Sequence, residues 1–307
     1  MRIATFNCEN LFARYKFKKN VDPTALDGFS VNDTAFDLLD EDEKKITAEV
    51  ISDVNADVIA LMEVENITIL DRFTSKYMKN VGYTESILID SHDPRGIDVG
   101  LLSKHPIISV RTHRNDHSSV ISQWPWLFSR DCLEVVIDVD GKLLKLYVNH
   151  FKSMLDTKAK NSDEARANTK PKRVEQAKKV VEIVDSEWKD KNYQGNFAVL
   201  GDLNDFPDKE TSLESLLNHP GLVNVVGRLP ADEQWTHFYA KAKEYTQLDY
   251  IFLSKSLADK NQGKPEIMRK GIAKKAVNYT GPRFDEVGDV KPVASDHAAV
   301  YMDIELE

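Results

Sequence analysis

The chain has 307 residues, of which 41% are hydrophobic and 30% charged. No apolar run approaches the roughly 18 residues that cross a membrane, which excludes a spanning segment within these residues. Because 41 Lys and Arg face 50 Asp and Glu, the net charge is −9. Overall attraction to polyanions is thereby excluded, and such a ligand would need a local basic patch or bound cations.

Two cysteines, Cys8 and Cys132, are too few for a disulfide framework or a thiolate zinc site. The N-terminus carries no signal-peptide pattern, because polar Asn7 interrupts its first apolar run early. We therefore predict a cytoplasmic location, a monomer and no membrane partner. A secreted protein from which a leader had been removed would have the same sequence, so secretion stays an alternative.

Short runs rich in β-branched and aromatic residues predict strands along the whole chain. The dipeptide Asp140-Gly141 separates two of these runs and predicts a tight antiparallel hairpin. The predicted strands are Arg2–Asn7, Asp57–Glu63, Glu85–Ile89, Val99–Ser103, Leu133–Val139, Leu143–His150, Phe197–Asp202, Leu248–Leu253 and Ala298–Ile304.

Helical periodicity occurs between the strands, and polar segments predict loops. We find no repeat and no low-complexity linker, which favours one α/β domain of layered sheets over residues 1–307. The predicted helices are Glu43–Val54, Ile67–Lys79, Lys172–Trp188 and Lys209–Leu217. The predicted loops are Arg14–Phe36, Asn115–Arg130 and Asp156–Pro171.

Polar side chains with metal-binding or acid/base capacity follow or precede several predicted strands, where α/β sheets usually build their sites. Taken singly, each of them could be an ordinary solvated residue or part of an Asx-rich turn. Asp202 and the pair Asp296-His297 adjoin runs that are apolar enough to be buried. Since an unpaired buried charge is unfavourable, these groups predict a metal ion or a charged partner.

Six motifs in this order closely resemble the endonuclease/exonuclease/phosphatase superfamily of DNase I-like proteins. The motifs are ATFNCENLF at residues 4–12, LMEVE at 61–65, VNHFKS at 148–153, GDLND at 201–205, QLDYI at 247–251 and SDH at 295–297. The resemblance covers nearly the whole chain. It implies a four-layered α/β sandwich, in which helices flank two packed mixed β-sheets.

The resemblance also implies a divalent metal site. Glu63 would be the principal Mg²⁺ ligand, Asn7 and Asp296 would lie close by, and Glu9 would complete the shell. Oxygen ligands suit this hard cation, and Mn²⁺ or Ca²⁺ could take its place.

Catalytic roles follow from the same resemblance. Asp202 and Asn204 would orient the attacking water and the scissile phosphate. His297, held by Asp249, would act as a base or stabilise charge developing on phosphorus. His150 would contact the phosphate or help to protonate the leaving oxygen. These roles fit hydrolysis of a phosphate ester.

His150 stands where apurinic/apyrimidinic endonucleases usually have tyrosine, and the sequence around it resembles bacterial nucleases of the extracellular kind. We therefore predict a metal-dependent phosphodiesterase, a nuclease that acts on DNA as an endonuclease. The alternatives are an enzyme for a lipid or small-molecule phosphoester and a catalytically silent scaffold. The presence of Glu63, Asp202 and His297 speaks against the scaffold.

Four residues are candidates for binding substrate: Arg130, Lys152, Arg173 and Gln176. Arg173 and Gln176 share a helical face and could either reach a phosphate or only solvate the helix. Asp98 is a weaker candidate.

A basic patch is the best candidate for contact with nucleic acid phosphates, and a solvated loop is the alternative. Trp124 and Trp126 could stack on bases or pack over a sheet edge. The patch consists of Lys158, Lys160, Arg166, Lys170, Lys172 and Arg173.

Overall fold

The computed structural model describes residues 1–17, 36–38, 40–118 and 125–307. Two six-stranded sheets dominate it. The first has the order β15-β16-β1-β4-β6-β5, with β1 parallel to β4 and antiparallel to β16. Its strands are β1 (Arg2–Leu11), β4 (Val58–Val64), β5 (Glu85–Leu88), β6 (Asp98–Ser103), β15 (Glu266–Met268) and β16 (Ala299–Asp303).

The second sheet repeats this arrangement in the order β11-β14-β10-β9-β8-β7, with β10 parallel to β9 and antiparallel to β14. Its strands are β7 (Ile107–Thr112), β8 (Cys132–Val139), β9 (Lys142–His150), β10 (Phe197–Asp202), β11 (Leu222–Asn224) and β14 (Asp249–Ser254). Two hairpins complete the strands: β2 (Tyr15–Phe17) with β3 (Phe36–Leu38), and β12 (His237–Tyr239) with β13 (Glu244–Thr246).

Side-chain alternation along the strands builds three apolar layers. In β1, Ile3 faces the core between the two sheets, whereas Ala4 faces the helices that cover the first sheet. In β9, Leu146 faces the central core and Tyr147 faces the helices on the second sheet. The helices are α1 (Glu41–Val54) and α2 (Ile67–Tyr77) on the first sheet, α3 (Ser162–Trp188) and α4 (Glu214–Leu217) on the second, and α5 (Lys255–Lys260) after β14. The predicted four-layered sandwich is confirmed.

Every predicted strand is present, and the β8–β9 hairpin turns at Asp140-Gly141 as predicted. Both turn residues have positive φ, 53° and 85°, as a type I′ turn requires. The sequence patterns miss β7, because most of its residues are exposed on both faces of an edge strand and show no clear alternation.

Several predicted boundaries are wrong: strand β2 lies inside the predicted loop Arg14–Phe36, and two helices differ in length. Helix α3 begins at Ser162, so the predicted loop Asp156–Pro171 is helical over its second half even though Pro171 lies inside the helix. The Asn161 side chain caps the N-terminus of α3 by accepting a hydrogen bond from the Glu164 backbone N–H at 2.9 Å. The predicted helix Lys209–Leu217 shrinks to the four residues of α4, because Ser212 bonds Asp205 instead of continuing a helix.

Parts of two predicted loops, residues 18–35 and 119–124 with Trp124, lie outside the described residues. Trp126 is described, and its ring stacks on His92 with centroids 4.3 Å apart, so this tryptophan is engaged by the protein itself. Among the helices that the structure describes, none is long and apolar enough to span a bilayer.

Candidate active site

The sheet topology explains why the motifs meet. Parallel strands β1 and β4, and likewise β9 and β10, end at the same edge, and the antiparallel strands β14 and β16 begin there. Asp202 accordingly stands opposite both His150 and Asp249 in the second sheet. Side chains from strand ends and strand beginnings therefore share one cleft. They are Asn7, Glu63, His150, Asp202, Asp249 and His297.

Unusual backbone conformations aim several of these side chains. Glu9, Glu63 and Asn204 have left-handed φ values of 46°, 62° and 53°. Glu63 is the extra residue of a bulge, because the pairing register shifts between Met62 and Val64. Such conformations are unfavourable for residues with a Cβ and often occur at functional sites.

Asp202 occupies the centre of the cleft and is buried. Gly201 permits this position, because a Cβ there would lie 1.8 Å from the Asn149 carbonyl oxygen. Asn7 of the first sheet donates to Asp202 Oδ2 at 3.0 Å, and the Asn204 backbone N–H donates to Oδ1 at 2.9 Å. Asp202 thus joins the two sheets at their common edge.

His297 and Asp249 form the predicted pair. His297 Nδ1 lies 2.8 Å from Asp249 Oδ2, which also accepts from Thr236 Oγ1 at 2.7 Å. His297 Nε2 points into the cleft, 3.9 Å from Asp202 Oδ2 and 3.8 Å from Asp296 Oδ1. Burial opposes the charged imidazole, but the charges of Asp249 and Asp202 outweigh it and raise the pKa of His297 well above its usual range. The surrounding carboxylates therefore favour the charged form of His297.

The pKa values of two neighbours of His297 are shifted in opposite directions. Burial, assisted by the charge of Asp249, raises the pKa of Asp202 to about 7. Burial, assisted by Arg130 and His297, lowers the pKa of His150 well below its usual range. Asp202 is therefore placed to exchange a proton near neutral pH. Neutral His150 can donate one hydrogen bond from Nε2, and this atom lies 3.5 Å from Asp202 Oδ2.

Replacing Asp202 by asparagine should abolish activity but stabilise the metal-free protein above neutral pH. The folded-state pKa of about 7 exceeds the ordinary value of 3.8, so the favourable contribution of this group is complete below pH 4 and is lost as the pH rises through 7. At pH 8, Asp202→Asn should raise the free energy of unfolding by roughly 2–4 kcal/mol, with no gain at pH 4.

Urea unfolding in chelator at the two pH values measures this difference, with exposed Asp190→Asn as control. A variant less stable than wild type at pH 8 would show that the Asp202 charge is well compensated in the fold.

The metal candidates line the side of the cleft formed by the first sheet. Glu63 Oε1 lies 3.9 Å from His150 Nε2, and Asn7 Oδ1 accepts from the Glu9 backbone N–H at 3.0 Å. Glu9 Oε2 accepts from the Asp296 backbone N–H at 3.0 Å. Burial and the charge of Asp296 raise the pKa of Glu9 to about 7, so these crowded carboxylates would gain from an added cation. The donors are carboxylate and amide oxygens, which fit a hard divalent ion.

Within the described part of the chain, the closest groups of three ligand-type side chains do not include Glu63. They are His237, Asp296 and His297, and Asp202, Asp249 and His297. Glu63 lies instead beside His150, with its Oε1 3.9 Å from His150 Nε2.

Arg130 and Lys152 lie near the predicted cleft but are held by the protein. Arg130 is buried, donates to the Phe151 carbonyl and lies 3.3 Å from Asp93 Oδ2. Lys152 Nζ donates to the carbonyls of Ser153 and Leu155 at 2.9 and 3.0 Å. Burial and the nearby Arg130 charge lower the pKa of Lys152 to about 8.

Arg173 and Gln176 do not face the cleft, which corrects their predicted role in binding substrate. Arg173 is fully buried, with Nε 3.3 Å from Asp205 Oδ2. Gln176 is equally buried, accepts from the Lys152 backbone N–H at 2.9 Å and donates to the Leu127 carbonyl at 3.1 Å. Their polar groups are used to dock α3 on the second sheet.

Several residues of the predicted basic patch are likewise held in contacts within the protein. Lys172 is buried and donates to the Trp126 carbonyl, and Arg166 pairs with Asp205 and Asp208 at 2.7 and 2.8 Å. With Arg173 also buried, the lysines that remain available at this end of α3 are Lys158, Lys160 and Lys170. Asp98, the weaker candidate, is buried and accepts from the Ser91 backbone N–H at 2.9 Å.

Arg173→Met should lower the free energy of unfolding by about 2 kcal/mol, because the buried Asp205 carboxylate loses one of its two arginine partners and keeps Arg166. Lys178→Met, on an exposed position of the same helix, should change stability by less than about 0.5 kcal/mol. Urea denaturation of the two variants measures both effects. Equal stability of the two would show that Asp205 does not need Arg173.

Sequence reasoning misses two residues of the cleft. Arg95 is largely exposed, pairs with Asp93 at 2.9 Å and is close enough to His150 to help lower its pKa. His237 Nε2 lies 3.6 Å from Asp296 Oδ2, and its ring lies 4.7 Å from that of His297. Neither residue ends a predicted strand, so no pattern marks them.

A family model described as the endonuclease/exonuclease/phosphatase family matches residues 2–282, and the chain belongs to this family. Its name denotes hydrolysis of phosphate esters. Among curated protein sequences, none matches the chain.

Solved structures share the fold. The human Nocturnin catalytic domain with bound sulfate anion is 15% identical, with a TM-score of 0.60, and the match covers 100% of this chain and 94% of that one. A beta toxin from Staphylococcus aureus is 17% identical, with a TM-score of 0.61 and 100% and 99% covered. A mannosyl-6-phosphatase from Bacteroides thetaiotaomicron is 15% identical, with a TM-score of 0.59 and both chains fully covered, 100% and 100%.

Proposed function

We propose that this protein is a divalent-metal-dependent phosphodiesterase that cleaves DNA internally. One observation carries the proposal: the His297–Asp249 pair, Asp202 and neutral His150 converge from both sheets on one cleft. Glu63, near the end of β4 in the first sheet, faces the same cleft. A phosphodiester placed there would meet a proton acceptor, a fixed cation and a hydrogen-bond donor together.

Each group then has a defined task. Asp202, with its pKa of about 7, accepts the proton of the attacking water. The charged His297, fixed in orientation by Asp249, stabilises the negative charge that develops on the phosphoryl oxygens. Neutral His150 donates a hydrogen bond to the phosphate. Asn204 holds Asp202 in place through its backbone and side-chain N–H groups, at 2.9 and 3.0 Å.

The carboxylates and amide on the first-sheet side, Glu63, Asp296, Glu9 and Asn7, would hold Mg²⁺, with Mn²⁺ or Ca²⁺ as alternatives. A bound divalent ion supplies charge neutralisation at the phosphate and polarises its P–O bonds. Before substrate arrives, Asn7 links this side to Asp202 through its side-chain amide.

The charges around the cleft support a polymeric substrate. Arg95 is largely exposed and influences His150 in the cleft. The available lysines Lys158, Lys160 and Lys170 precede or lie in the first half of α3, as does Arg166, which pairs with Asp205 three residues after Asp202. These cations could follow a phosphate backbone past the reacting group. The mannosyl-6-phosphatase of the same fold makes a small phosphoester the alternative to be tested.

The test compares plasmid DNA, linear DNA, RNA and bis-p-nitrophenyl phosphate in Mg²⁺. We expect nicked plasmid and a DNA affinity whose logarithm falls with log[salt], with a slope of ~0.9 for each phosphate that the protein neutralises. The triple variant Lys158→Gln, Lys160→Gln, Lys170→Gln should flatten that slope, whereas exposed Lys178→Gln, Lys189→Gln, Lys264→Gln should not. Hydrolysis of the small diester without cleavage of any polymer would replace DNA by a small phosphoester as the substrate.

A further inference from the structure

A cavity of about 380 Å³ opens beside the cleft, on the side of the metal candidates. Glu9 and Asp296 line it, together with residues of the hairpin β12–β13 and of the segment 272–275. This volume is in the range of small-ligand sites, roughly 300–1,000 Å³. Apart from Glu9 and Asp296, the residues that line it have no task in the proposed chemistry.

Apolar side chains line much of the cavity, and Tyr239 adds one exposed aromatic ring. Phe238, Ile272 and Val293 are buried along the walls. Tyr239 and Val290 line the same cavity but are 44% and 43% exposed. Large apolar side chains left in water around a concave site are typical of a surface that receives a ring.

Three lysines line the cavity. Lys241 and Lys275 line the cavity and are exposed, and across the described ranges neither forms an ion pair. Lys291 differs, because its Nζ lies 3.8 Å from Glu9 Oε1 and 3.2 Å from Glu43 Oε1. In a chain of net charge −9, two uncompensated ammonium groups predict an anionic group on the ligand.

We propose that this cavity binds the nucleotide unit next to the scissile phosphate. The base lies against Tyr239 and Val290, and the second phosphate of that nucleotide meets Lys241 and Lys275. The inference rests on the proposed function, since Asp296 belongs to both the cavity and the cleft. It makes the preferred substrate one with a phosphate on either side of a nucleoside, which occurs inside a strand and not in a mononucleotide ester.

Binding is measured by calorimetry in Mg²⁺ with thymidine 3′,5′-bisphosphate and thymidine 5′-monophosphate. We expect wild type to bind the bisphosphate about tenfold more tightly. The double variant Lys241→Gln, Lys275→Gln should lose this preference, and Lys264→Gln, at an exposed lysine outside the cavity, should keep it. Tyr239→Ala should weaken both ligands about tenfold, and Tyr239→Phe should restore them, because stacking needs only the ring.

Kinetics with two matched esters provide the second arm: the p-nitrophenyl ester of thymidine 5′-phosphate, with and without a 3′-phosphate. Wild type should show a lower KM for the ester with the 3′-phosphate, and the double lysine variant should not. Equal affinity of wild type for both nucleotides, or a preference that survives in the double variant, overturns the cavity assignment. Failure to hydrolyse either ester would instead contradict the proposed function, while the binding ratio alone would still decide the cavity.

Discussion

Replacement of His297 by alanine is expected to lower kcat at least ~100-fold with little change in KM, because a positioned charged group acts mainly in the transition state. The substitution removes the cation between two buried carboxylates, Asp249 and Asp202. Asp249→Asn should act in the same direction but less strongly, because Thr236 continues to hold position 249. Steady-state kinetics on a small phosphodiester measures all of these variants.

The double variant of His297 and Asp249 should be scarcely worse than His297→Ala alone, since Asp249 then has no imidazole to orient. His105→Ala is the control, because His105 follows β6 at the opposite edge of the first sheet. Losses that multiply in the double variant would mean that Asp249 acts independently of His297, and the pair would have to be abandoned.

Glu63→Gln is expected to reduce kcat/KM at low millimolar Mg²⁺ at least ~100-fold, because a bound metal ion supplies several kcal/mol of transition-state stabilisation and each ~1.4 kcal/mol is a factor of ten. The amide keeps the size of the side chain but removes the charge that faces the cleft. Mg²⁺ titration with circular dichroism separates weakened metal binding from misfolding.

Glu65→Gln is a matched control for this change. Glu65 follows the same strand, but it pairs with Arg14 at 2.5 Å and accepts from the Ala13 backbone N–H, outside the cleft. We expect its variant to keep wild-type activity. An unchanged Mg²⁺ dependence in Glu63→Gln would show that Glu63 is not a metal ligand, and it would favour the group of His237, Asp296 and His297 as the metal site.

The sequence predicts the layered fold, and the structure brings the central predicted residues, Asp202, Asp249 and His297, close together. Runs of β-branched and aromatic residues predict the strands, and the residues that end two of them, Glu63 and Asp202, stand out as polar groups after apolar runs. The order of motifs added Asp249 and His297, which begin or precede antiparallel strands. Antiparallel strands begin where their neighbours end, so these positions had to meet.

The errors have a common physical origin in partners that are distant in the sequence. Arg173 and Gln176 resembled exposed helical residues, yet Asp205 and the Leu127 carbonyl bury them. His237 reaches the cleft only because its short strand bridges the chain at His297. Periodicity reports which face of an element is apolar, but it does not report a polar partner brought from another element.

Metal-dependent phosphodiester hydrolysis is tested most directly by measuring the activity of the wild-type protein before and after removal of divalent cations. We expect chelated protein to be folded but inactive on both plasmid DNA and bis-p-nitrophenyl phosphate, and Mg²⁺ to restore activity. The activity that Mg²⁺ restores should be at least ~100-fold lower in Glu63→Gln and His297→Ala. Full hydrolysis in chelator, or no hydrolysis of any phosphodiester by folded wild-type protein supplied with Mg²⁺, would contradict the proposed function.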